Sequence, residues 1–491
     1  MEEALLFTNK LQEEQEEEWL FPVSPTGQYF NSSALSVCVL AVLDFEHPID
    51  DSLAIPLIHN LFLPINPRFS SIMIIDEKGE KQWKKVEVRA EDHIRVPVFP
   101  PHSKSYDECF KDYLSEVAME PLRQGMPLWE IHIVKYPTSA AAGNVIFKLH
   151  HALGDGFSLM GALLSCLQRA DDPALPLTFP AFKEPSRVPG AGKDGPCKAL
   201  PGLVSAVVNT VSDFGWSLMK SSFLEDDRTP IRSGDPGVEF RPVDINTIAF
   251  SIDKIKQIKT RLHVTINDVL CGVIFLGTRL YMEEMSDGGG ELKNGKATAL
   301  VLLNTRNIGG YRSTKEMVRS DGGDSSKWGN RFAFMHVAAP KSNSSSSSSS
   351  FSSNPIDFVS KAREIIQRKR NSSAVLLTGK VLDTLRHYSG PEATAKYVHN
   401  TLKNSSMTIS NMIGPIEKMS LADQPLKGLY FMVVGVPQSL TITVMSYMRT
   451  LRIAVGTERG FIDAAKYEGC VRRAFHLISD AAAATAHCSI S

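Results

Sequence analysis

The chain has 491 residues, 43% hydrophobic and 22% charged, with 53 Lys and Arg against 54 Asp and Glu. This profile excludes a disordered protein, and the balanced charge leaves no basic surplus to drive nucleic-acid binding. The length exceeds one ordinary core and implies two or three domains with a sizeable buried interior.

The opening stretch MEEALLFTNKLQEEQEEEW reads as a solvated acidic helix. It has no basic region followed by an apolar core, so no cleaved secretory signal is expected. Apolar runs of strand length follow, ALSVCVLAVLDF, SSIMIID, LWEIHIVKY and NVIFKLH, mixed with helical stretches, and predict an α/β organisation. Seven scattered cysteines (Cys38, Cys109, Cys166, Cys197, Cys271, Cys470 and Cys488) show no CxxC or metal-ligand spacing. They read as reduced thiols of a cytosol-facing protein, with no metal site expected.

The run NVIFKLH leads into HHALGDG, residues 150–156, with a helix expected from near Ser158. Gly154 and Gly156 are expected to let the backbone turn sharply there. Strand alternation puts His151 on the side of Val145, Phe147 and Leu149, and His150 on the other, so only one imidazole faces a given cleft. A neutral imidazole, with an ordinary pKa of about 6.5, can accept a proton from a hydroxyl near neutral pH, which suits acyl transfer. The alternative is a hydrogen-bonded pair of core histidines. Asp155 could orient an imidazole or hold the loop by pairing with an arginine; with a glycine on each side, the second role is expected. No GxSxG elbow and no HExxH motif accompany the pair.

Residues 171–244 are rich in Pro, Gly and charge and read as a domain boundary, giving a first lobe at 1–175, a crossover at 176–244 and a second lobe at 245–491. No stretch of about 18 uninterrupted apolar residues occurs, so no conventional membrane span is expected. Within the crossover, Leu203 to Leu224 has apolar residues at Val204, Val207, Val208, Val211, Phe214, Leu218 and Met219. That spacing predicts an amphipathic helix lying on protein through its apolar stripe, or else on a membrane surface. The second lobe again alternates strands and helices, ending in a helix near Phe461 to Ser479. Its serine tract, residues 341–354, cannot bury apolar area and is expected to be a surface loop.

With these pieces in place, the sequence resembles the plant wax ester synthase/diacylglycerol acyltransferase family of the HHxxxDG coenzyme A-dependent acyltransferases. The resemblance spans nearly the whole chain. It rests on HHALGDG together with PLWEIHIV (127–134), TINDVLCGVI (265–274), LLNTRNIGG (302–310), WGNRFAFM (328–335), SNMIGPIEKM (410–419) and QSLTITVMSY (438–447). A DFGW at residues 213–216 is similar to a motif of soluble plant acyltransferases, but it falls mid-chain, lacks the final glycine and is read as coincidence.

The resemblance implies two chloramphenicol-acetyltransferase-like α/β lobes, each a mixed sheet with helices, and an active site in a tunnel at their interface. It implies transfer of a long-chain acyl group from acyl-CoA, a co-substrate rather than a cofactor, to a fatty alcohol or to diacylglycerol. His151 would be the general base, supported by His150, Asp155 and Gly156, with Arg306 as the partner of Asp155. Asn267, Asp268, Ser410, Asn411 and Thr443 are candidate substrate or oxyanion contacts, and Trp129 structural support. Membrane-surface association is implied, on the cytosolic side of the endoplasmic reticulum or plasma membrane. The competing readings are a soluble acyltransferase of specialised-metabolite alcohols or amines, and a non-catalytic lipid-binding relative.

Overall fold

The structure, a computed structural model, describes residues 20–77, 79–101, 104–179, 199–286, 295–306, 328–341, 354–370 and 374–488. The acidic N-terminal stretch, the PSRVPGAGKDGP segment, residues 342–353 of the serine tract and Cys197 lie outside the described residues.

The first part of the chain contributes β1 (Leu20–Pro22), β2 (Cys38–Phe45), β3 (Ser71–Ile75), β4 (Lys81–Lys85), β5 (Ile94–Arg95), β6 (Trp129–Val134), β7 (Gly143–His150) and β8 (Gln168–Arg169). The rest contributes β9 (Val243–Ser251), β10 (Thr298–Asn304), β11 (Phe332–Ala338), β12 (Met407–Ile413), β13 (Met419–Leu421), β14 (Gln424–Val434), β15 (Leu440–Tyr447) and β16 (Thr450–Glu458). Helices that position the site are α1 (Pro25–Phe30), α2 (Tyr106–Met119), α3 (Gly156–Ser165), α4 (Ala199–Ser222), α5 (Ile252–Leu262), α6 (Ile266–Met285), α7 (Pro355–Arg370), α8 (Ala374–Lys403, bent at Gly390) and α9 (Ala464–Cys488).

Two mixed sheets organise two lobes, so the α/β two-lobe architecture is what the chain adopts. The first sheet has the order β5-β6-β7-β2-β14-β13-β8, and the second β11-β10-β12-β15-β16-β9. β2, β6 and β7 are buried along their whole lengths, which explains why their sequences read as continuous apolar runs. In the second lobe, a capping box between Thr265 and Asp268 starts α6, and nearly every residue of that helix is buried. Its glycines allow close packing: a Cβ on Gly272 would strike Val359 of α7, and one on Gly277 would strike Val471 of α9. Among the described residues no single helix is long and apolar enough to cross a membrane.

A boundary at residue 245 divides the chain but not the sheets. After β12 the chain leaves the second sheet, and β14 pairs antiparallel with β2 from Val434↔Cys38 to Leu426↔Phe45 before β15 returns. The lobes are therefore stitched through backbone hydrogen bonds. A polar clamp reinforces them: Arg452 of β16 pairs with Asp44 of β2, which also accepts from Asn144 Nδ2 at 2.8 Å. Gly428 makes room for the clamp, since a Cβ there would lie 2.6 Å from Arg452 and 2.8 Å from Asp44.

The crossover helix α4 departs from expectation in its described part. Asp213, Ser217 and Lys220 of its polar side are buried against the protein, while of the expected apolar stripe Phe214 is half-buried and Leu218 and Met219 are exposed. Asp213 accepts from Lys369 Nζ at 2.9 Å and Arg368 Nη2 at 3.0 Å, so the DFGW aspartate anchors the helix to α7. The side chains of Val204, Val207, Val208 and Val211 lie outside the described ones.

Candidate active site

β7 ends at His150, and the loop that follows is seated against residues 328–332, at the entry to β11 of the other lobe. The two imidazoles diverge. His151 continues the β2–β7 ladder through its N–H to the Val37 carbonyl at 2.8 Å, and its ring packs on Phe30 (centroids 4.6 Å) and Phe332 (5.4 Å). His150 instead receives the Ala152 N–H on Nδ1 at 3.1 Å and places Nε2 3.2 Å from Ser36 Oγ.

These contacts assign the protons. An N–H can only donate, so His150 Nδ1 is a lone pair, its proton sits on Nε2, and that N–H donates to Ser36. His150 therefore has no basic nitrogen free. For His151 the argument runs through Asn330, whose Nδ2 donates to the His151 carbonyl at 2.8 Å and thereby turns Oδ1 toward the ring. Oδ1 accepts from His151 Nδ1 at 2.8 Å, leaving Nε2 as the unprotonated nitrogen. Burial pushes His151 below the ordinary histidine range, with the Asp155 charge and the Asn330 bond opposing in part. Burial lowers His150 as well, to about 3. Both rings are neutral near pH 7, and one of them is a poised acceptor.

Asp155 does not touch the imidazole. It is the N-cap of α3, accepting the Ser158 N–H at 3.0 Å, and it forms a bidentate pair with Arg306 at 2.6 and 3.0 Å. It also accepts the Arg331 N–H at 2.8 Å. Arg306 reaches Ser158 Oγ and the Gly329 carbonyl as well, and lies 4.7 Å above the Phe157 ring. Gly329, at φ 118°, has a backbone only glycine adopts readily, and that conformation aims its carbonyl into this network. Trp328 completes the seat by donating Nε1–H to the Leu153 carbonyl at 2.9 Å.

Gly154 and Gly156 serve for space rather than for a turn, because neither has positive φ. A Cβ on Gly154 would sit 2.9 Å from Ser158 Cβ, and one on Gly156 3.1 Å from Met412 Sδ. Met412 marks where β12 meets the loop. Met407 and Ile409 enter the second lobe's core while Met412 enters the first lobe's, so Ser410 shares the Met412 side and Asn411 faces away.

The five candidate oxyanion contacts thus separate. Ser410, half-buried, and Thr443, its register partner on β15, share the interlobe side; the Thr443 hydroxyl is spent on the Phe431 carbonyl of β14. Asn411 hydrogen-bonds Asn267 at the start of α6, and Asp268 is occupied in the capping box. Trp129 is fully buried on β6, stacked on His93 at 4.1 Å and donating to the Phe69 carbonyl at 2.8 Å. Sequence reasoning missed Asn330, Phe30, Phe332 and Ser36. WGNRFAFM was a visible landmark, but an asparagine has no chemistry that marks it as the partner of a distant histidine. Among the described residues no three His, Cys, Asp or Glu side chains form a metal-holding group.

Residues 75–270 match the wax ester synthase/diacylglycerol acyltransferase catalytic domain, and residues 328–479 the WS/DGAT C-terminal domain. Over 463 residues the chain is 29% identical to wax ester synthase/diacylglycerol acyltransferase 4 of Arabidopsis thaliana, covering 90% of this chain and 86% of that one. Its fold is similar to that of the wax ester synthase/diacylglycerol acyltransferase from Marinobacter aquaeolei VT8, with TM-score 0.56 and 14% identity over 94% of this chain and 100% of that one. It is also similar to the first condensation domain of the CDA synthetase, with TM-score 0.51 and 12% identity over 91% of each chain. At such identities the structural likenesses speak to the fold alone.

Proposed function

The chain belongs to the wax ester synthase/diacylglycerol acyltransferase family and is an acyltransferase; from that premise we propose that it moves a long-chain acyl group from acyl-CoA to a fatty alcohol, and to diacylglycerol as a second acceptor. The observation that carries this reading is the lone pair on His151 Nε2, left free by the Nδ1–H bond to Asn330 across the lobe interface. In the step, Nε2 takes the acceptor's hydroxyl proton as the oxygen bonds the thioester carbon. The tetrahedral intermediate then breaks its C–S bond, and the imidazolium returns the proton to the departing coenzyme A sulfur. No acyl-enzyme is needed, and the His150–Ser36 pair is unsuited to forming one, because its Nε2 carries a proton. Ser410 is the candidate oxyanion donor among the expected set, being the one on the loop side whose hydroxyl is not committed to backbone. Acyl-CoA is a co-substrate, and no cofactor enters the scheme.

Because alcohol, diacylglycerol and product are water-insoluble, we put the reaction at a membrane surface, on the cytosolic side of the endoplasmic reticulum. Purified full-length protein given palmitoyl-CoA with hexadecanol, dipalmitoylglycerol or polar alcohols and amines is expected to form wax ester, with triacylglycerol as the lesser product. His151→Ala should lower the rate by roughly 10²–10⁴-fold. Unchanged turnover in that variant, or acylation of polar acceptors only, overturns the reading.

A further inference from the structure

We propose that the outer face of α4 seats the protein on a phospholipid surface, an inference that rests on the lipid-acceptor reading above. On a helical projection of about 100° per residue, the buried Asp213, Ser217 and Lys220 occupy one arc, while Trp216, Met219 and Phe223 form a single stripe on the flanking arc. Their exposures are 42%, 49% and 83%. The helical turn persists through the stripe, since Phe223 N–H donates to the Met219 carbonyl at 2.8 Å. The polar side is committed to protein: Asp213 to Arg368 and Lys369, Ser217 Oγ to His336 Nδ1 at 3.1 Å, and Lys220 to Asp226 and the Asn404 carbonyl. The sense of amphipathicity is inverted relative to a helix on a water-exposed surface, and it fits a helix between protein and lipid.

Two further features point to lipid as the occupant. Asp213 is met by two cations, Arg368 and Lys369, so this end of the helix carries an excess positive charge that complements phosphate headgroups, and Trp216 is an interfacial side chain. The buried side of the same helix abuts the strand that reaches the catalytic site. β11 carries Phe332, Phe334 and His336 on one side; Phe332 lies against His151 at 5.4 Å and Phe334 at 5.5 Å, and His336 meets Ser217 of α4. That row spans about 13 Å at ~3.3 Å per residue, so α4 lies one short strand away from the His151 ring.

The test is sedimentation of the full-length chain with phosphatidylcholine–phosphatidylserine vesicles. Wild type should co-sediment, and its fluorescence should shift to the blue on vesicles, with that shift absent in Trp216→Phe. Met219→Glu/Phe223→Glu, both surface positions and checked for an unchanged melting temperature, should bind at least about tenfold more weakly. Val98→Glu, a control at an equally exposed position in the first lobe, should bind as wild type. Equal recovery of wild type and double variant, equal loss in the Val98 control, absence of the Trp216 shift, or a wild-type dimer that the double variant disperses without vesicle binding would each overturn the proposal. Turnover of octanol dissolved in buffer, measured on wild type, separates the two readings: its failure removes the reaction and leaves the docking, and vesicle failure alone does the reverse.

Discussion

The site is built from two segments of opposite character. Residues 150–156 hold the groups whose chemistry is visible from type alone: two imidazoles and a carboxylate in a glycine-bearing loop. Residues 328–332 offer nothing that reacts, yet Asn330 decides which nitrogen of His151 is basic, Gly329 and the Arg331 N–H hold Asp155, and Phe332 covers the ring. In the proposed mechanism the first segment carries the base and the second sets its tautomer. Because the two come from different lobes, that mechanism makes the docking of the lobes a condition of catalysis.

The sharpest way to break this pairing is at the ion pair that joins the segments. Arg306→Ala leaves the Asp155 carboxylate buried without its partner, and both side chains are nearly inaccessible, at 2% and 4%. A loss of about 3–5 kcal/mol is expected in denaturant unfolding. A change within surface-pair values, below about 1 kcal/mol, would mean that the seat does not depend on this pair. Asn330→Ala tests the assignment of the base without emptying the core. Positioning partners of this kind are worth roughly 10–100-fold, and the loss should appear in kcat with little change in KM for acyl-CoA.

The pH profile refines the same comparison. Burial lowers the His151 pKa, so the neutral, active form persists to below the ordinary value of about 6.5, and kcat/KM should fall only as pH drops past that point. Asn330→Asp keeps an acceptor for Nδ1–H but adds a negative charge that favours the imidazolium, so its acid limb should move to higher pH. A limb unmoved by the charge would place the titrating group elsewhere. The smallest effect belongs to the neighbour. His150→Gln, which can still accept from Ala152 and donate to Ser36, is expected to cost a few-fold in kcat, at most about tenfold, with the acid limb unchanged. A loss equal to that of His151→Ala would sink the division of labour between the two rings.

Local pattern revealed more of the fold than of the site. The runs at β2, β6 and β7 read as strands because burial on both faces makes a short sequence continuously apolar. The membership of β14 in the first sheet was hidden, since strand pairing is chosen by hydrogen-bonding partners nearly 400 residues away, such as Val434 with Cys38. Asn267, Asp268 and Asn411 have the right chemistry for an oxyanion contact, but β12 alternation and the cap of α6 turn them toward one another or into the helix end. The glycines of HHALGDG looked like turn residues; only the neighbours Ser158 and Met412 reveal that they are absences of side chain rather than freedoms of backbone. On α4 the amphipathic spacing was legible and its sense was not, because Asp213, Ser217 and Lys220 found buried partners on α7, β11 and the loop after α4.

Residue type and short-range periodicity, properties of neighbours along the chain, were enough to establish the α/β architecture, the histidine pair at a strand end and the amphipathic crossover helix. Which imidazole keeps a free lone pair, where its proton sits and which side of α4 meets solvent were decided by tertiary contacts alone. The bond that settles the tautomer joins residues 179 positions apart. A proton's location on an imidazole is set by the single acceptor facing it, and no local pattern records what the other lobe will place there.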